Sequence, residues 1–582
     1  MTKKILAIIL ATVMMAAVAT SCAQSPTTTG STGGTGSTTA AGSTTTAAQT
    51  EPKEDYVIEY LIPGAKDTKS LENDVGKKIY EKFGIQINVV GYAGDWEEKC
   101  AQMLAGGDYT DMLQLQGSTM VKKYINAGAL LDIGALAEQY APNFLEFYKD
   151  SIPYWKLNSE DGKLYNWTAN TPDVEHATTP RFDMIIRSDV LEQQGWPEVL
   201  DEDSFVNLLK QGLKDNPTTD GNDTLGMVAG AQEDWVLGDT MMQFASKGRY
   251  PEYTSPAAWD TDTNKFVDGI QDVPAWKSGV KFWNTLYREG ILDPECFTDT
   301  DAVATEKLNS GRALATVYVT WNMDAVNNNL KSLGKENMQY VTMPIMLKEQ
   351  QAAGQKRIIP IIDNYDYQSI VITKNAKHPD RIMELLNWVA TEEGQTLLGW
   401  GVEGKHYTMK DGLRSVTQNY LDCVNGVSDD KTFNDGVGTY YFLGLSAGYD
   451  KNEQVYNLAF DESVKNLAMS DRLKAVYSHY GWKTVTDPWK NNKNFKYEMV
   501  HSGIYSSVSL EPGSDVETTA TKLKEYKMKQ LVPLIMAENE GEFESLWAQF
   551  IEGYKALHPE TVVSAYNELY GQLETKLNSL SK

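Results

Sequence analysis

An α/β body built on a parallel sheet is the fold class this chain predicts, and two observations carry it. Short runs at strand spacing, Val57–Leu61, Ile85–Val89 and Met112–Gln116, alternate with single stretches of helical periodicity. Strands joined through single helices run parallel, because only a crossover of that length brings the chain back to start the next strand on the same side. With 41% hydrophobic and 10% aromatic residues, the chain also has the material for a sizeable core.

The chain opens on a targeting segment. Lys3 and Lys4 give a positive start, and Ile5–Ala19 is an uncharged apolar run, short for a membrane span. It stops at Ala19-Thr20-Ser21-Cys22, small residues followed by a cysteine. This resembles the lipobox of bacterial lipoproteins, which implies a leader over residues 1–22 and a lipidated Cys22 as the new N-terminus. An ordinary secretory signal or an uncleaved anchor are the rival readings. Residues 23–54 are expected to be a flexible linker, since Ser25–Thr50 is nearly all Ser, Thr, Gly and Ala. Such a coil spans on the order of 25–30 Å.

About 530 residues remain, enough for two to four domains. No later segment is apolar enough to cross a membrane, so contact with lipid is expected through the anchor alone. The net charge of −26 argues against nucleic acid as a partner. Once Cys22 is set aside, Cys100, Cys296 and Cys423 form no disulfide framework and show no metal-ligand spacing. Each is expected to be a buried thiol.

In the body, Val57–Leu61 reads as the first strand, and Leu71, Val75 and Ile79 as one face of a helix. Ile85–Val89 is the second strand. Asp95 with Glu98 forms a capping box for a helix running to Leu104, and Met112–Gln116 is the third strand. Ligands of parallel sheets lie beyond the carboxyl ends of strands, which puts Gln116, Gly117 and Ser118 at a candidate cleft edge. The tail from Tyr526 to Leu569, with Leu531, Ile535, Leu546, Phe550 and Val562, reads as helices packed on the body.

Several passages resemble, in family order, the family 1 extracellular solute-binding proteins, in their subgroup of long Gram-positive lipoproteins. Met103–Asp111 (MLAGGDYTD) is similar to the family's ML-A-S/G-G-D-x-P-D, with Thr110 where proline is usual. Tyr124–Asp132 and Tyr140–Asn143 resemble the next helix and turn, Gly162–Tyr165 the GK-x-Y turn, and Arg187–Leu191 the R-x-D-x-L passage. Gly290–Glu295, Ser310–Ala313, Lys377–Asp380 with Leu385–Trp388, and Gly401–Tyr407 follow in the same order. The resemblance covers nearly the whole mature chain. It implies a two-lobed periplasmic-binding-protein-like fold of type II, with parallel-rich sheets flanked by helices and a hinge between lobes. Residues 55–172 with 364–430 would form the first lobe, and 173–363 with 431–582 the second. It further implies a monomeric receptor, lipid-anchored on the extracytoplasmic face of the cell membrane, that passes its solute to an ABC permease and its ATPase.

A carbohydrate, expected to be an oligosaccharide, needs aromatic platforms for its C–H faces and planar polar groups for its hydroxyls. The 14 Trp and 31 Tyr supply the first, although most rings serve cores. Trp321 follows the apolar run Ala313–Val319 at a strand's carboxyl end, and matches the position of a sugar-stacking Trp in the resembling family. Trp235 lies in the polar stretch Gln232–Trp235. Tyr365 and Tyr367 sit where the chain re-enters the first lobe, with hinge packing as their rival role. Gln116 and Trp167 complete the expected ligand set; Trp155 is a weaker candidate and Trp388 reads as core. Glu403 and His406 match a family loop in which a structural role is equally open.

Asp215–Asp223 lies where many relatives carry an EF-hand-like loop. Pro217 and Thr219 fall where oxygen-bearing ligands belong, so a plain turn closed by Gly221 is expected, with no metal or other cofactor. A cell-surface glycoside hydrolase is the second reading, needing two carboxylates about 5–10 Å apart. A lipoprotein that binds peptide or another solute is the third. HExxH, GxSxG and GxxxxGK[ST] are all missing from the sequence, and no catalytic residue is expected.

Overall fold

The computed structural model describes residues 54–580 except 93, 169–181, 233–235, 238–255, 261, 320–322, 363–367, 425–427, 429–435, 447, 501–503 and 505–506. Residues 1–53, which hold the expected leader and nearly all of the expected linker, Cys22 included, therefore lie outside the described residues. Strand β1 (Tyr56–Pro63) leads to α1 (Asp74–Phe83), whose first turn is closed by Asn73 accepting from the Gly76 N–H. Gly84, at φ 62°, ends the helix in the left-handed region that glycine tolerates. β2 (Ile85–Tyr92) then returns parallel to β1, with Tyr56 opposite Ile85. α2 (Trp96–Gly106) carries only half of the expected capping box. Asp95 accepts from the Glu98 N–H, while the Glu98 carboxylate takes the Gln102 amide instead.

β3 (Met112–Leu115) lies parallel on the other side of β1 and is fully buried, as a strand covered on both faces must be. α3 (Gly117–Asn126) follows directly, and β4 (Asn166–Thr168) is the last strand before the chain leaves this lobe. The second lobe holds β5 (Phe182–Arg187), β6 (Leu225–Val228), β7 (Ala313–Val319), α4 (Met323–Ser332) and β8 (Tyr340–Thr342), in the sheet order β8-β5-β7-β6. β9 (Arg357–Ile362) leads out again, and β10 (Ser369–Ile372) enters the first sheet between β3 and β4.

Both sheets are mixed. β10 runs antiparallel to β3 and β4, and β5 runs antiparallel to β7 and β8. In the second lobe's four-stranded sheet, among the described residues, only β6 and β7 pair parallel, fewer than expected. A strand that arrives from another lobe is not bound to the crossover geometry that forces βα repeats to run parallel.

The first lobe's core packs Ile58, Ile79 and Ile87 against Ile382, Leu385 and Leu386 of α5 (Pro379–Val389). It also takes in Tyr440, Phe442, Leu443 and Leu445, so this lobe reaches past the boundary expected at residue 430. Phe442 meets Tyr60 edge-on at 4.5 Å, and the Asn73 amide donates to the Tyr440 hydroxyl at 2.7 Å. That stretch is a 3-10 turn without helix or strand periodicity, which is why no sequence pattern announced it. Next to it, α6 (Gln418–Val424) and α7 (Glu462–Ala468) pack with Trp400, Tyr407 and Leu458.

α8 (Asp471–Tyr480) joins the second lobe, and β11 (Phe495–Val500) pairs parallel with β9. The tail forms three helices, α9 (Asp515–Ile535), α10 (Glu540–Lys555) and α11 (Pro559–Leu580). Leu531, Ile535, Phe550 and Val562 enter the second lobe's core, each contributing about 1.5–3 kcal/mol when fully buried. The buried Asn284 amide donates to the Ile535 and Ala537 carbonyls, satisfying the end of α9. α11 begins in that core at Val562. Near its far end, the Lys576 ammonium donates to the Leu157 and Ser159 carbonyls of the first lobe.

Candidate functional site

The register of the sheets shows which edges face the inter-lobe connections. Ser369, at the start of β10, pairs with Leu115 and with Thr168, so the carboxyl ends of β3 and β4 share one edge. The chain leaves for the second lobe after Thr168 and returns at Ser369. In the second sheet Val319 pairs with Phe182, the first residue of β5, which puts the carboxyl end of β7 on the edge facing the connection. Both lobes thus turn strand carboxyl ends toward the crossover, the usual place for a ligand in α/β sheets.

Gln116 stands on this edge. It is exposed, occupies the N-cap position of α3 with φ −98° and ψ 125°, and its side chain does not cap the helix. Its amide makes no hydrogen bond among the described residues, leaving donor and acceptor open to solvent. Beneath it the edge is held by a buried polar chain. The Asn158 amide donates to the Asn166 side-chain oxygen at 3.2 Å, and the Asn166 amide donates to the Ser369 hydroxyl at 3.2 Å.

Trp167 is placed otherwise than expected. It has no exposed surface, lies in the first lobe's core and meets Phe144 edge-on at 6.0 Å. A ring so enclosed offers no face to a sugar, and its expected ligand role is withdrawn. Its strand position explains this, since Trp167 is the middle residue of β4, itself buried throughout. Trp155 and Trp388 are buried in the same core. Trp235, Trp321, Tyr365 and Tyr367 lie outside the described residues.

A second buried cluster supports the connections. The Arg357 guanidinium, at the start of β9, meets the Asp183 carboxylate through both terminal nitrogens, at 3.1 and 3.0 Å. The Trp489 indole N–H donates to the same carboxylate at 2.7 Å, and Arg357 also reaches the Ile345 carbonyl at 2.9 Å. All three side chains are buried. The node ties together β5, β9 and the short helical segment leading into β11.

Residues 75–403, over half of the chain, match the family model of the bacterial extracellular solute-binding protein. The chain belongs to that family. Lipoprotein LipO of Bacillus subtilis (strain 168) is 23% identical over 373 residues, covering 61% of this chain and 68% of LipO. Among solved structures, an HMO-binding, ABC-transporter-associated solute-binding protein from Bifidobacterium longum infantis ATCC 15697 superposes with TM-score 0.59 at 15% identity. It covers 89% of this chain and 98% of its own. The S. pneumoniae substrate-binding protein FusA, solved with kestose, gives TM-score 0.58 at 14% identity, over 89% and 99%. These likenesses give the fold, a two-lobed α/β body.

In this solute-binding protein the recognisable sequence passages mostly build the scaffold. Arg187 and Asp189 form a buried bidentate pair at 2.8 and 3.0 Å, and Arg187 also donates to the Gly311 carbonyl, so two of the passages meet. Asp293 and Asp299, both buried, share the Lys307 ammonium with Glu295. Asp111 accepts from the Tyr56 hydroxyl and the Glu59 N–H. His406 is buried, its Nδ1 accepting from the Val402 N–H at 2.8 Å, which gives it a structural role.

The 215–223 loop is a tight hairpin. Thr218–Thr219 pair with Asn222–Asp223, and Asp220 and Gly221 both have positive φ, 52° and 79°, as a type I′ turn requires. Cys100 and Cys296 are buried, whereas Cys423 is only half-buried, short of the expected enclosure. Among the described residues no helix is long and apolar enough to cross a membrane.

The Asp183–Arg357–Trp489 node was missed by sequence reasoning. Its one signal was a charge on each of two apolar strands, Asp183 within FDMIIR and Arg357 at the head of RIIPII. Such charges are buried only when paired, but nothing in the sequence names the partner.

Proposed function

We propose that this solute-binding protein captures an oligosaccharide between its lobes and delivers it to an ABC permease driven by a cytoplasmic ATPase. The observation that carries the reading is the pair of strand carboxyl edges facing each other across the crossovers, with the open amide of Gln116 on one of them. Trp321 follows β7 by two residues, and Tyr365 and Tyr367 fall between β9 and β10, so the candidate stacking rings belong in sequence to the same connections. Two structural relatives named as binding HMO or solved with kestose support a glycan as the solute. Acylation of Cys22 would keep the receptor beside its permease as a monomer, and the relation to lipoprotein LipO supports this.

No bond is broken in this mechanism. Open and closed lobe arrangements exchange about the crossovers, and a ligand that touches both lobes stabilises the closed form by its differential affinity. Titration calorimetry with a panel of neutral and acidic oligosaccharides is expected to show binding, and chromatography afterwards intact sugars. Shorter products would favour the hydrolase; a peptide that binds while every sugar fails would end the carbohydrate reading. Trp321→Ala is expected to weaken glycan binding at least tenfold, about 1.4 kcal/mol, with an almost unchanged Tm. A large fall in Tm would make Trp321 a core ring instead.

A further inference from the structure

One ammonium holds the segment on which the second lobe's cleft edge rests. β6 ends at Val228, whose carbonyl accepts from the Thr316 hydroxyl of β7 at 2.9 Å, so residues 229–232 continue β6 from its carboxyl end. Ala229 and Ala231 are buried, whereas Gln232 is exposed and its side chain makes no hydrogen bond among the described residues. This stretch rests on residues 291–301. The Met227 N–H donates to the Ile291 carbonyl at 2.8 Å, and the Asp293 N–H to the Met227 carbonyl at 2.9 Å. Further along, the Ala231 N–H donates to the Cys296 carbonyl at 2.9 Å and the Gln232 N–H to the Asp299 carbonyl at 3.2 Å. A Cβ at Gly230 would stand 2.8 Å from the Asp301 Cα and N, so the two backbones are in contact there.

Lys307 gathers that supporting segment. From the helix Asp301–Asn309, its ammonium donates to the carboxylates of Asp293 at 2.8 Å, Asp299 at 2.6 Å and Glu295 at 3.0 Å. The Asp293 and Asp299 carboxylates are buried, and that of Glu295 is exposed. Asp293 also accepts from the Glu295 N–H through its carboxylate and from the Cys296 N–H through its carbonyl, both at 3.1 Å. Three carboxylates converging on one point repel one another unless a cation sits between them. Asp299 is thus held by its carboxylate and holds Gln232 by its carbonyl. Cys296, which holds Ala231, lies between the two buried aspartates.

We propose that Lys307 is a positioning residue for ligand capture: a built-in cation that fixes residues 229–232 on the cleft edge without touching the ligand. Through them it places Gln232 and the chain leading to Trp235, three residues further along the sequence. An ion cluster of this kind adds little net stability, because desolvation offsets the attraction; what it supplies is a fixed position. A loop already in place spares the ligand the cost of ordering it, so the cluster acts on affinity. This role rests on the inter-lobe site proposed above, whichever solute enters it.

The test compares wild type with Lys307→Ala and with the triple variant Lys307→Met, Asp293→Asn, Asp299→Asn, which strands no buried carboxylate should the single replacement impair folding. Each protein is titrated, well below its Tm, with neutral fructo-, malto- and manno-oligosaccharides, with oligogalacturonates and with short peptides. Amide hydrogen exchange is followed alongside by mass spectrometry. Both variants are expected to exchange faster than wild type at residues 229–232, with β1, β2 and β3 unchanged, and to bind the glycan that wild type binds about tenfold more weakly. Calcium is expected to restore part of the affinity of Lys307→Ala, whose three carboxylates can hold a hard cation in the ammonium's place, and to do nothing for the triple variant. Affinities within twofold of wild type in both variants would overturn the positioning role and leave the receptor reading intact. Weaker binding without faster exchange at 229–232 would sink it as well, as would an equal calcium response in the two variants. Wild-type binding of peptides and no glycan would overturn the carbohydrate reading alone, and the loss on replacing Lys307 is then read with the peptide.

Discussion

Replacing Arg357 with alanine is expected to cost about 3–5 kcal/mol of folding free energy, the usual consequence of stranding one half of a buried ion pair. The Asp183 carboxylate has no exposed surface and, among the described residues, would keep only the Trp489 indole N–H and the Met184 N–H as donors. These do not replace a guanidinium that meets both of its oxygens. Arg357 also lies 5.3 Å from the centre of the Phe495 ring, where β11 begins beside β9, so its loss would loosen the strands that border the crossovers. Urea unfolding followed by tryptophan fluorescence measures the effect. A loss below about 1 kcal/mol would mean that Asp183 reaches water or another donor in solution. The double replacement Asp183→Leu with Arg357→Met is expected to recover part of the loss, since both charges then leave the interior together.

Trp167→Ala is expected to be of similar size, about 3–5 kcal/mol, because it empties a large volume in a strand that is buried throughout. Trp167→Phe should cost much less, about 1.5 kcal/mol or below. The indole N–H finds no acceptor among the described residues, so phenylalanine gives up volume but no hydrogen bond. Differential scanning calorimetry separates the two variants. Glycan affinity, measured well below the melting temperature, should be the same in Trp167→Phe and wild type. A variant with unchanged Tm and lost affinity would return this ring to the cleft.

Trp167 and Trp388 show where reading a sequence succeeds and where it stops. Trp388 follows Leu385 at helical spacing, and that periodicity already assigned it to a buried face, where the structure has it. Trp167 sits near a glycine turn in a three-residue strand, too short for any alternation to show which side faces inward. The early βα repeats were legible for the same reason as Trp388. β1, β2 and β3 with their helices repeat a local pattern, and their caps lie within three residues of the groups they satisfy.

From the sequence by itself came the α/β alternation, the helical tail and Gln116 at the end of a strand, all set by interactions among near neighbours in the chain. Tertiary structure alone decided that β10 runs antiparallel between β3 and β4, and that Tyr440 and Phe442 complete a core begun by Tyr60. It also decided that Asp183 finds Arg357 across 174 residues. Those pairings depend on how strands cross between lobes. Burial and Coulomb attraction act through space, and local propensity carries no record of which distant residue will arrive.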